Sequence, residues 1–257
     1  MRIFVVKKWT LIRAAIFILI VIGAIVYTQL AFGNSVPASN ISQAMPVCRV
    51  SSGEKTVALT FDTAFGDRDY TLKILDVLKK ENVKATFFVM GLWAQEYPDV
   101  VAEISKEGQE VASHSMNHLK YTDLTESAVL DDANKAADMI FELTGYDTKL
   151  IRLPFGAFNA PVIMTLENAG FIPVKWSLDS LDWKGYDAKK IAGNVLSNVK
   201  SGDIIMFQNN MKETPEALCE VILGLREDGY KIVPLSEMLI KDNYVVDSEG
   251  TQKYFND

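Results

Sequence analysis

Histidine and cysteine are scarce in this chain, which has two of each among 257 residues. So few histidines leave little room for histidine chemistry, and their position therefore matters. Basic residues are also few: 26 lysines and arginines stand against 33 aspartates and glutamates, which gives a net charge of −7. This excess of acid argues against a nucleic-acid partner. Hydrophobic residues make up 49% and charged residues 23% of the chain, which excludes a mostly disordered protein.

Charge is absent from one long stretch near the start of the chain. Residues 14–33 (AAIFILIVIGAIVYTQLAFG) carry no charge, whereas Arg2, Lys7, Lys8 and Arg13 precede them. About 20 apolar residues suffice to cross a bilayer, and basic residues remain on the cytoplasmic side. We therefore expect a single-pass anchor in the cell membrane with the rest of the chain on the extracellular side. A cleaved signal peptide, which would give a secreted protein, is the alternative.

The remaining sequence divides by composition into a linker, a body and a tail. Residues 1–33 form the basic stub and anchor, and residues 34–47 are polar, uncharged and rich in Ser, Asn and Pro, as in a linker. Residues 48–240 are expected to form one folded domain. The polar tail, residues 241–257, is expected to fray. Nothing in the sequence indicates the oligomeric state.

The two cysteines, Cys48 and Cys219, would meet oxidising conditions if the body is exported. A disulfide requires Cα atoms that are ~4.4–6.8 Å apart, and the sequence does not give this distance. A disulfide and two unpaired thiols therefore both remain open.

Seven short apolar runs alternate with segments of helical periodicity in the body. The predicted N-caps of these helices are Thr125, Asn159, Asp187 and Thr214, and Gly145 is expected to end the helix that Thr125 begins. The predicted strands are 56–61, 85–90, 110–112, 149–152, 171–176, 203–207 and 230–233. This alternation predicts an α/β fold made of parallel βαβ units. A barrel and an open doubly wound sheet both fit. Polar residues follow the ends of five of these strands, which favours the barrel, because its strand ends share one face.

The two histidines lie four residues apart, directly after the third predicted strand, in Ser113-His114-Ser115-Met116-Asn117-His118. On a helical turn, residues four apart share a face, so both imidazoles could reach one metal ion. Zinc commonly binds histidines together with a carboxylate. Asp62, at the end of the first strand, could bind that metal or accept a proton from its water. The alternatives are two surface or hydrogen-bonded histidines, and an aspartate that caps the following loop or helix.

Four motifs in this chain resemble those of the NodB-homology polysaccharide deacetylases (carbohydrate esterase family four). In order they are Thr60-Phe61-Asp62, His114-x-x-x-His118, Arg152-Leu153-Pro154-Phe155-Gly156 and Asp179-x-x-Asp182-Trp183. The resemblance extends over about residues 57–240, and the opening TFDTAFG is similar to that of membrane-anchored, sporulation-type members. It implies a distorted (β/α)7 barrel that removes N-acetyl groups from peptidoglycan, chitin or related polymers.

The resemblance also implies a role for each matching residue. Asp62 matches the general base, Arg152 matches the arginine that orients it, and Asp182 matches a carboxylate that tunes the catalytic acid. His114 and His118 match two ligands of a divalent metal, for which zinc is expected and cobalt or manganese are alternatives. An N-acetylated polysaccharide is the implied partner. The residues expected to contact it are Phe155, Asp179, Trp183 and Phe207.

Two positions depart from the family pattern. Thr63 stands where a second aspartate usually provides the third metal ligand, so Asp62 itself, or Asp67 or Asp69 from the same loop, would have to complete the site. Gln208 stands where a histidine usually protonates the leaving amine, and an amide cannot act as a general acid. Loss of a positioned acid typically costs ~10²–10⁴-fold in rate.

Two classes of function therefore remain open. The first is an exported, metal-dependent hydrolase of amide bonds in cell-wall glycan, slowed by these two replacements. The second is a catalytically weakened or silent relative that binds glycan or serves in envelope or sporulation assembly.

Overall fold

The structure is a computed structural model that describes Trp9, residues 44–51 and residues 53–255. The anchor predicted at residues 14–33 and most of the predicted linker lie outside these residues. Within the described residues, we find no helix that is long and apolar enough to cross a membrane. The chain divides into two compact units, residues 1–42 and 43–257, and the description below concerns the second.

The second unit alternates strands and helices along most of its length. Its strands are β1 (Arg49–Val50), β2 (Thr56–Asp62), β3 (Thr86–Val89), β4 (Glu110–Ser113), β5 (Leu150–Arg152), β6 (Ile172–Val174), β7 (Leu178–Asp179), β8 (Ile204–Gln208), β9 (Lys231–Ile232), β10 (Tyr244–Val246) and β11 (Thr251–Tyr254). Its helices are α1 (Thr71–Lys80), α2 (Gly91–Glu96), α3 (Pro98–Lys106), α4 (Glu126–Thr144), α5 (Ala160–Asn168), α6 (Ala188–Asn198), α7 (Thr214–Glu227) and α8 (Leu235–Met238). Short 3₁₀ turns occupy Tyr121–Asp123, Pro154–Gly156 and Asp182–Lys184.

The main sheet is parallel and has the strand order β6-β5-β4-β3-β2-β8-β7, with β9 also paired to β2. Each of the seven predicted strands has a counterpart here, which confirms the α/β prediction. In the described part of the chain, the end strands β6 and β7 do not pair with each other. The sheet is therefore a curled half-barrel, and the expected barrel is not closed. Sequence reasoning missed β7, which has only two residues.

Strands β2 to β5 are buried along their whole length because both faces of the sheet are covered. On the outer face, Phe61 stacks between Phe87 and Phe207, with ring centroids 4.9 and 5.6 Å away, and packs under the helices. On the inner face, Ala58 and Phe88 belong to a separate cluster that includes α8. The strict alternation along each strand decides which side chains can reach a site.

Most of the predicted helix caps are confirmed. The side chains of Thr125, Asn159 and Asp187 each accept a hydrogen bond from the backbone N–H three residues later. Gly145 ends α4 in the left-handed conformation, as expected of a glycine there. The cap predicted at Thr214 is wrong, because Thr214 is the first helical residue and its hydroxyl donates to a distant carboxylate.

The expectation that residues 241–257 fray is also wrong. In this segment β10 and β11 pair antiparallel, and β11 pairs in parallel with β1. Gln252 holds this small sheet to the body, because its side chain accepts from the Ile240 N–H at 2.9 Å and donates to the Ile240 carbonyl at 3.0 Å. Cys48, next to β1, is buried, and both Cys48 and Cys219 are free thiols.

Candidate active site

A buried ion pair joins the carboxyl ends of β2 and β5. Asp62 ends β2 and is 3% exposed, and Arg152 ends β5 and is fully buried. The guanidinium Nη1 donates to Asp62 Oδ1 at 2.7 Å. This contact leaves the second carboxylate oxygen, Oδ2, outside the pair. The predicted partnership between these two residues is thus present in the geometry.

Arg152 is tolerated in the interior because several groups compensate for its lost hydration. Its Nη1 also donates to Thr60 Oγ1 at 2.8 Å, and its Nη2 donates to the Lys175 carbonyl at 2.9 Å. The guanidinium lies 4.0 Å from the centre of the Phe88 ring. Within the described chain its Nε has no hydrogen-bond partner. Arg152, on β5, therefore connects β2, β3 and the residue after β6 at the edge where Asp62 lies.

The two histidines lie beside this ion pair. His114 Nδ1 is 2.9 Å from the Arg152 carbonyl, which can only accept, so Nδ1 carries the proton and Nε2 is left with a lone pair. His118 Nε2 lies 3.1 Å from His114 Nε2. Asp62 Oδ2 lies 3.8 Å from the same His114 nitrogen. A second imidazole nitrogen and a carboxylate oxygen therefore both lie within 3.8 Å of His114 Nε2.

Burial keeps both imidazoles neutral at neutral pH. Loss of hydration lowers the pKa of His114, against the opposing effect of the Asp62 charge. Burial, and then the neighbouring His114, lowers the pKa of His118 to about 4. Neutral imidazole is the form that binds a metal ion.

The backbone that carries the histidines is not the helical turn expected from their spacing. Ser115 and His118 both have left-handed backbone angles, with φ of 63° and 53°. Two further left-handed residues, Phe155 and Leu181, lie in the loops after β5 and β7. Such a conformation costs a residue other than glycine roughly 1–3 kcal/mol and tends to occur at functional sites. The i and i+4 side chains therefore meet through a strained turn and not through a helix.

Asp132, on α4, holds this strained turn in place. One of its oxygens accepts from the Met116 N–H at 2.9 Å and from the Tyr121 hydroxyl at 2.7 Å. The other accepts from the Asn117 N–H at 3.2 Å and from the Asn117 amide at 2.7 Å. Sequence reasoning missed Asp132. It lies on the buried face of α4 beside Val129 and Ala133, where an unpaired carboxylate would be costly.

The loop after β2 does not bring a further carboxylate to the histidines. The hydroxyl of Thr63, which is fully buried, accepts from the Met90 N–H at 3.0 Å. Asp69 accepts from the Thr71 N–H at 2.8 Å with one oxygen, and from Trp93 and Asn209 at 3.2 and 2.8 Å with the other. Among the described residues, no group of three or more His, Cys, Asp or Glu is arranged to hold a metal ion.

Asp182 lies behind Gln208 on the opposite side of the site. Its Oδ2 accepts from the Gln208 N–H at 2.8 Å and from the Thr214 hydroxyl at 2.7 Å, while Oδ1 is buried without a partner in the described structure. Burial raises the pKa of Asp182 to about 6. The Gln208 side chain makes one weak contact, from Nε2 to the Met206 sulfur at 3.6 Å.

Exposed aromatic side chains flank the site. Phe155 is 67% exposed, and its ring lies edge-on to His118 with centroids 4.6 Å apart. Trp183 is 50% exposed, and its indole N–H donates to Asp179 at 3.3 Å. The structure contradicts the expected contact of Phe207 with substrate. Phe207 is fully buried against Phe61, because strand alternation turns it to the opposite face from Gln208.

Substitution of the carboxylate that holds the histidine turn should destabilise the protein. In Asp132→Asn the new NH₂ group would face N–H or O–H donors, so we expect a loss of ~2–3 kcal/mol in the free energy of unfolding, measured in urea. The matched control is Asp131→Asn on the same helix, where an exposed carboxylate pairs with Lys135 at 2.6 Å. We expect the control to lose less than ~0.5 kcal/mol. Equal losses in both variants would contradict this role.

The raised pKa of Asp182 predicts a pH-dependent stability. The folded protein holds this proton more tightly than the unfolded chain, so stability from this group is present at low pH and is lost as pH rises from about 4 to about 6. A pKa change from 3.8 to about 6 corresponds to ~3 kcal/mol. Unfolding in urea should therefore show Asp182→Asn gaining ~3 kcal/mol relative to wild type between pH 3 and pH 7. A difference that does not vary with pH would exclude this effect.

Comparison with known proteins identifies relatives of this arrangement. The family model for polysaccharide deacetylases matches residues 49–174. A peptidoglycan-N-acetylglucosamine deacetylase of Bacillus cereus is 35% identical over 195 residues, covering 74% of this chain and 91% of that protein. The peptidoglycan-N-acetylmuramic acid deacetylase PdaA of Bacillus subtilis is 31% identical over 192 residues, covering 73% of each protein.

Solved structures include relatives that are described as pseudoenzymes. A CE4 family pseudoenzyme from Bacillus anthracis superposes with a TM-score of 0.73 at 29% identity, covering 82% of this chain and 73% of that one. A mutant described as having restored enzymatic activity is also similar. The fold, the family model and the lengths over which these relatives match all indicate the same family. The chain therefore belongs to the polysaccharide deacetylases of carbohydrate esterase family four.

Proposed function

We propose that the chain is a metal-dependent deacetylase that hydrolyses N-acetyl groups of cell-wall glycan, peptidoglycan or a chitin-like polymer, at a reduced rate. One observation carries the proposal. The buried Asp62–Arg152 pair lies next to two neutral imidazoles whose Nε2 atoms face each other at 3.1 Å. A buried ion pair is costly to maintain and is weak evidence for stability, so a chemical role explains it better.

The same proposal includes a location. The uncharged run at residues 14–33 supports a single-pass anchor in the cell membrane, with residues 48–240 and the glycan on the extracellular side. Secretion after signal cleavage is the alternative. The TFDTAFG opening supports a sporulation-type member.

Two imidazole nitrogens and one nearby carboxylate oxygen are an incomplete donor set for a divalent cation, so binding should be weaker than a full ligand set would give. His114 and His118 would hold the ion, and Asp62 Oδ2 is the carboxylate oxygen nearest to His114 Nε2, at 3.8 Å. Zinc suits this set best, with cobalt or manganese as alternatives. When bound, the ion would polarise the acetamide carbonyl and lower the pKa of a water. Thr63 adds no ligand, because its hydroxyl is bonded to the Met90 N–H.

Asp62 is suited to act as the general base. Arg152 occupies Oδ1 and fixes the orientation of the carboxylate, so Oδ2 remains available to accept a proton from water. The other contacts of Arg152, to Thr60 and the Lys175 carbonyl, prevent it from turning away. Positioning of this kind requires no rearrangement during the reaction.

Protonation of the leaving amine is the weak step. Gln208 lies beside the site, but its amide cannot donate a proton as an acid. Asp182 has a raised pKa of about 6, yet its Oδ2 is bonded to the Gln208 N–H and the Thr214 hydroxyl. The proton for the leaving amine would have to come from Asp182, although its Oδ2 is already bonded, or from water. Hydrolysis should therefore be slow.

The exposed rings of Phe155 and Trp183 provide surfaces on which sugar rings can stack, and Asp179 holds the indole N–H of Trp183. The relatives act on N-acetylglucosamine or on N-acetylmuramic acid in peptidoglycan, according to their names. These names support an N-acetylated sugar of peptidoglycan as the substrate of this chain.

A second candidate is a glycan-binding protein without catalysis. Gln208 is the specific observation in its favour, together with the similarity to a family member described as a pseudoenzyme. Such a protein would use the same surface to bind glycan in envelope or sporulation assembly. The two candidates differ in whether acetate is released.

Acetate release from peptidoglycan and from acetylated chito-oligomers separates them. We expect slow release by the wild type with added zinc, and a rate ~10²-fold or more higher in Gln208→His, which supplies an acid beside Asp182. His114→Ala should abolish release in both backgrounds. A silent wild type that Gln208→His activates would support the second candidate, and two silent proteins would exclude hydrolysis at this site.

Zinc titration followed by calorimetry tests the metal site separately from catalysis. We expect the wild type to bind one ion at this site, and His114→Ala to bind at least ~10-fold more weakly, because half of the imidazole ligands are lost. Thr63→Asp should bind at least ~10-fold more tightly, since it adds the missing third ligand. Asp69→Asn is the control in the same loop and should match the wild type. Absence of binding by the wild type would contradict the proposed site.

A further inference from the structure

A cavity lies at the end of the sheet opposite to the candidate active site. Its volume is about 370 Å³. Its lining includes the first residues of three neighbouring strands, Glu110 of β4, Leu150 of β5 and Ile172 of β6. Asp62 and Arg152 lie at the carboxyl ends of their strands, so the two places are separated by the length of the sheet.

The walls of this cavity are mainly apolar. Leu150 and Ile172 contribute from the strands, Leu239 and Ile240 from the segment after α8, and Tyr244 from the start of β10. Besides Glu110, the charged lining residues are Asp147 and Lys149, which pair with each other at 2.9 Å, and Lys241. Pockets that are apolar with a few placed polar groups, and of this volume, typically bind small organic molecules.

Glu110 provides an unused acceptor in this cavity. The residue is 8% exposed, and its Oε2 accepts from the Thr86 hydroxyl at 2.6 Å and from the Ser236 N–H at 3.2 Å. Its Oε1 is buried and has no hydrogen-bond partner in the described structure. The Tyr146 side chain lies within hydrogen-bonding reach of Glu110 and Ser236, and burial and then the Glu110 charge raise the pKa of this tyrosine.

Thr148 provides a second unused polar atom. The residue is 2% exposed, and its hydroxyl is also buried without a partner in the part of the chain described. Native proteins leave few buried polar atoms unpaired, and each one requires an explanation. Here both atoms belong to residues that line the same cavity, so a donor from outside the chain could complete them.

We propose that this cavity binds a small molecule with a primary ammonium group and an apolar body. The ammonium would donate to Glu110 Oε1 and Thr148 Oγ1, and the apolar part would lie against Leu150 and Ile172. A buried carboxylate favours a cationic donor over a neutral one, because charge-assisted hydrogen bonds are the stronger kind. This site is independent of the proposed deacetylase activity.

Titration of the full chain with phenethylamine, monitored by amide NMR, tests the proposal. We expect saturable shifts at Thr148 and Ile172. The neutral 2-phenylethanol, which has a similar apolar body, should bind ~10-fold or more weakly because it lacks the charge. In Glu110→Gln, where the amide oxygen can still accept from Thr86 and Ser236, phenethylamine should bind weaker by a similar factor. His114→Ala should bind phenethylamine as the wild type does.

Three results would overturn the proposal. The first is the absence of saturable shifts with the amine in the wild type. The second is equal binding of the amine and the alcohol by the wild type, a comparison that needs no variant to fold. The third is a shift pattern that centres on Phe155 and Trp183 or disappears in His114→Ala, because the amine would then bind at the candidate active site. Failure of acetate release would leave each of these outcomes unaffected.

Discussion

The arrangement of the candidate site depends on one buried ion pair, between Arg152 and Asp62. A fully buried guanidinium is costly unless its charge and its donors are compensated, and here a carboxylate, a threonine hydroxyl, a backbone carbonyl and the face of Phe88 do so. These partners come from β2, β3 and the residue after β6. The pair thus fixes the relative positions of the strand ends on which the site is built. The carbonyl of the same arginine also orients His114.

Around this fixed centre the loops adopt costly backbone conformations. Ser115, His118, Phe155 and Leu181 are all left-handed, whereas the other residues of this kind in the described chain, glycines apart, are asparagines, which tolerate it well. Asp132 explains how the histidine turn is maintained, since its two oxygens accept four hydrogen bonds. The histidine turn is therefore held by hydrogen bonds to a carboxylate of the packed helix α4.

The sequence predicted the strands and most helices well, because period and capping residues are local signals. It correctly predicted that the two histidines meet. The predicted helical turn between them is wrong, because residue spacing alone does not reveal left-handed backbone angles. The order of the tail was missed because its polar composition suggested fraying. Backbone pairing of β11 with β1 and the hydrogen bonds of the Gln252 side chain hold it to the body instead. Phe207 was misplaced although alternation with Gln208 could have located it. Asp132 carried a usable signal, a carboxylate on the apolar face of α4.

The contacts of Asp182 bear on how this protein could change over evolutionary time. Asp182 binds the backbone N–H of position 208 and not its side chain, so that carboxylate keeps its place whichever residue stands there. Its second oxygen remains unengaged within the described structure. The codons for glutamine and histidine differ only in their third base. A single point mutation could therefore place an imidazole next to a carboxylate that is already in position, without any rebuilding of the fold.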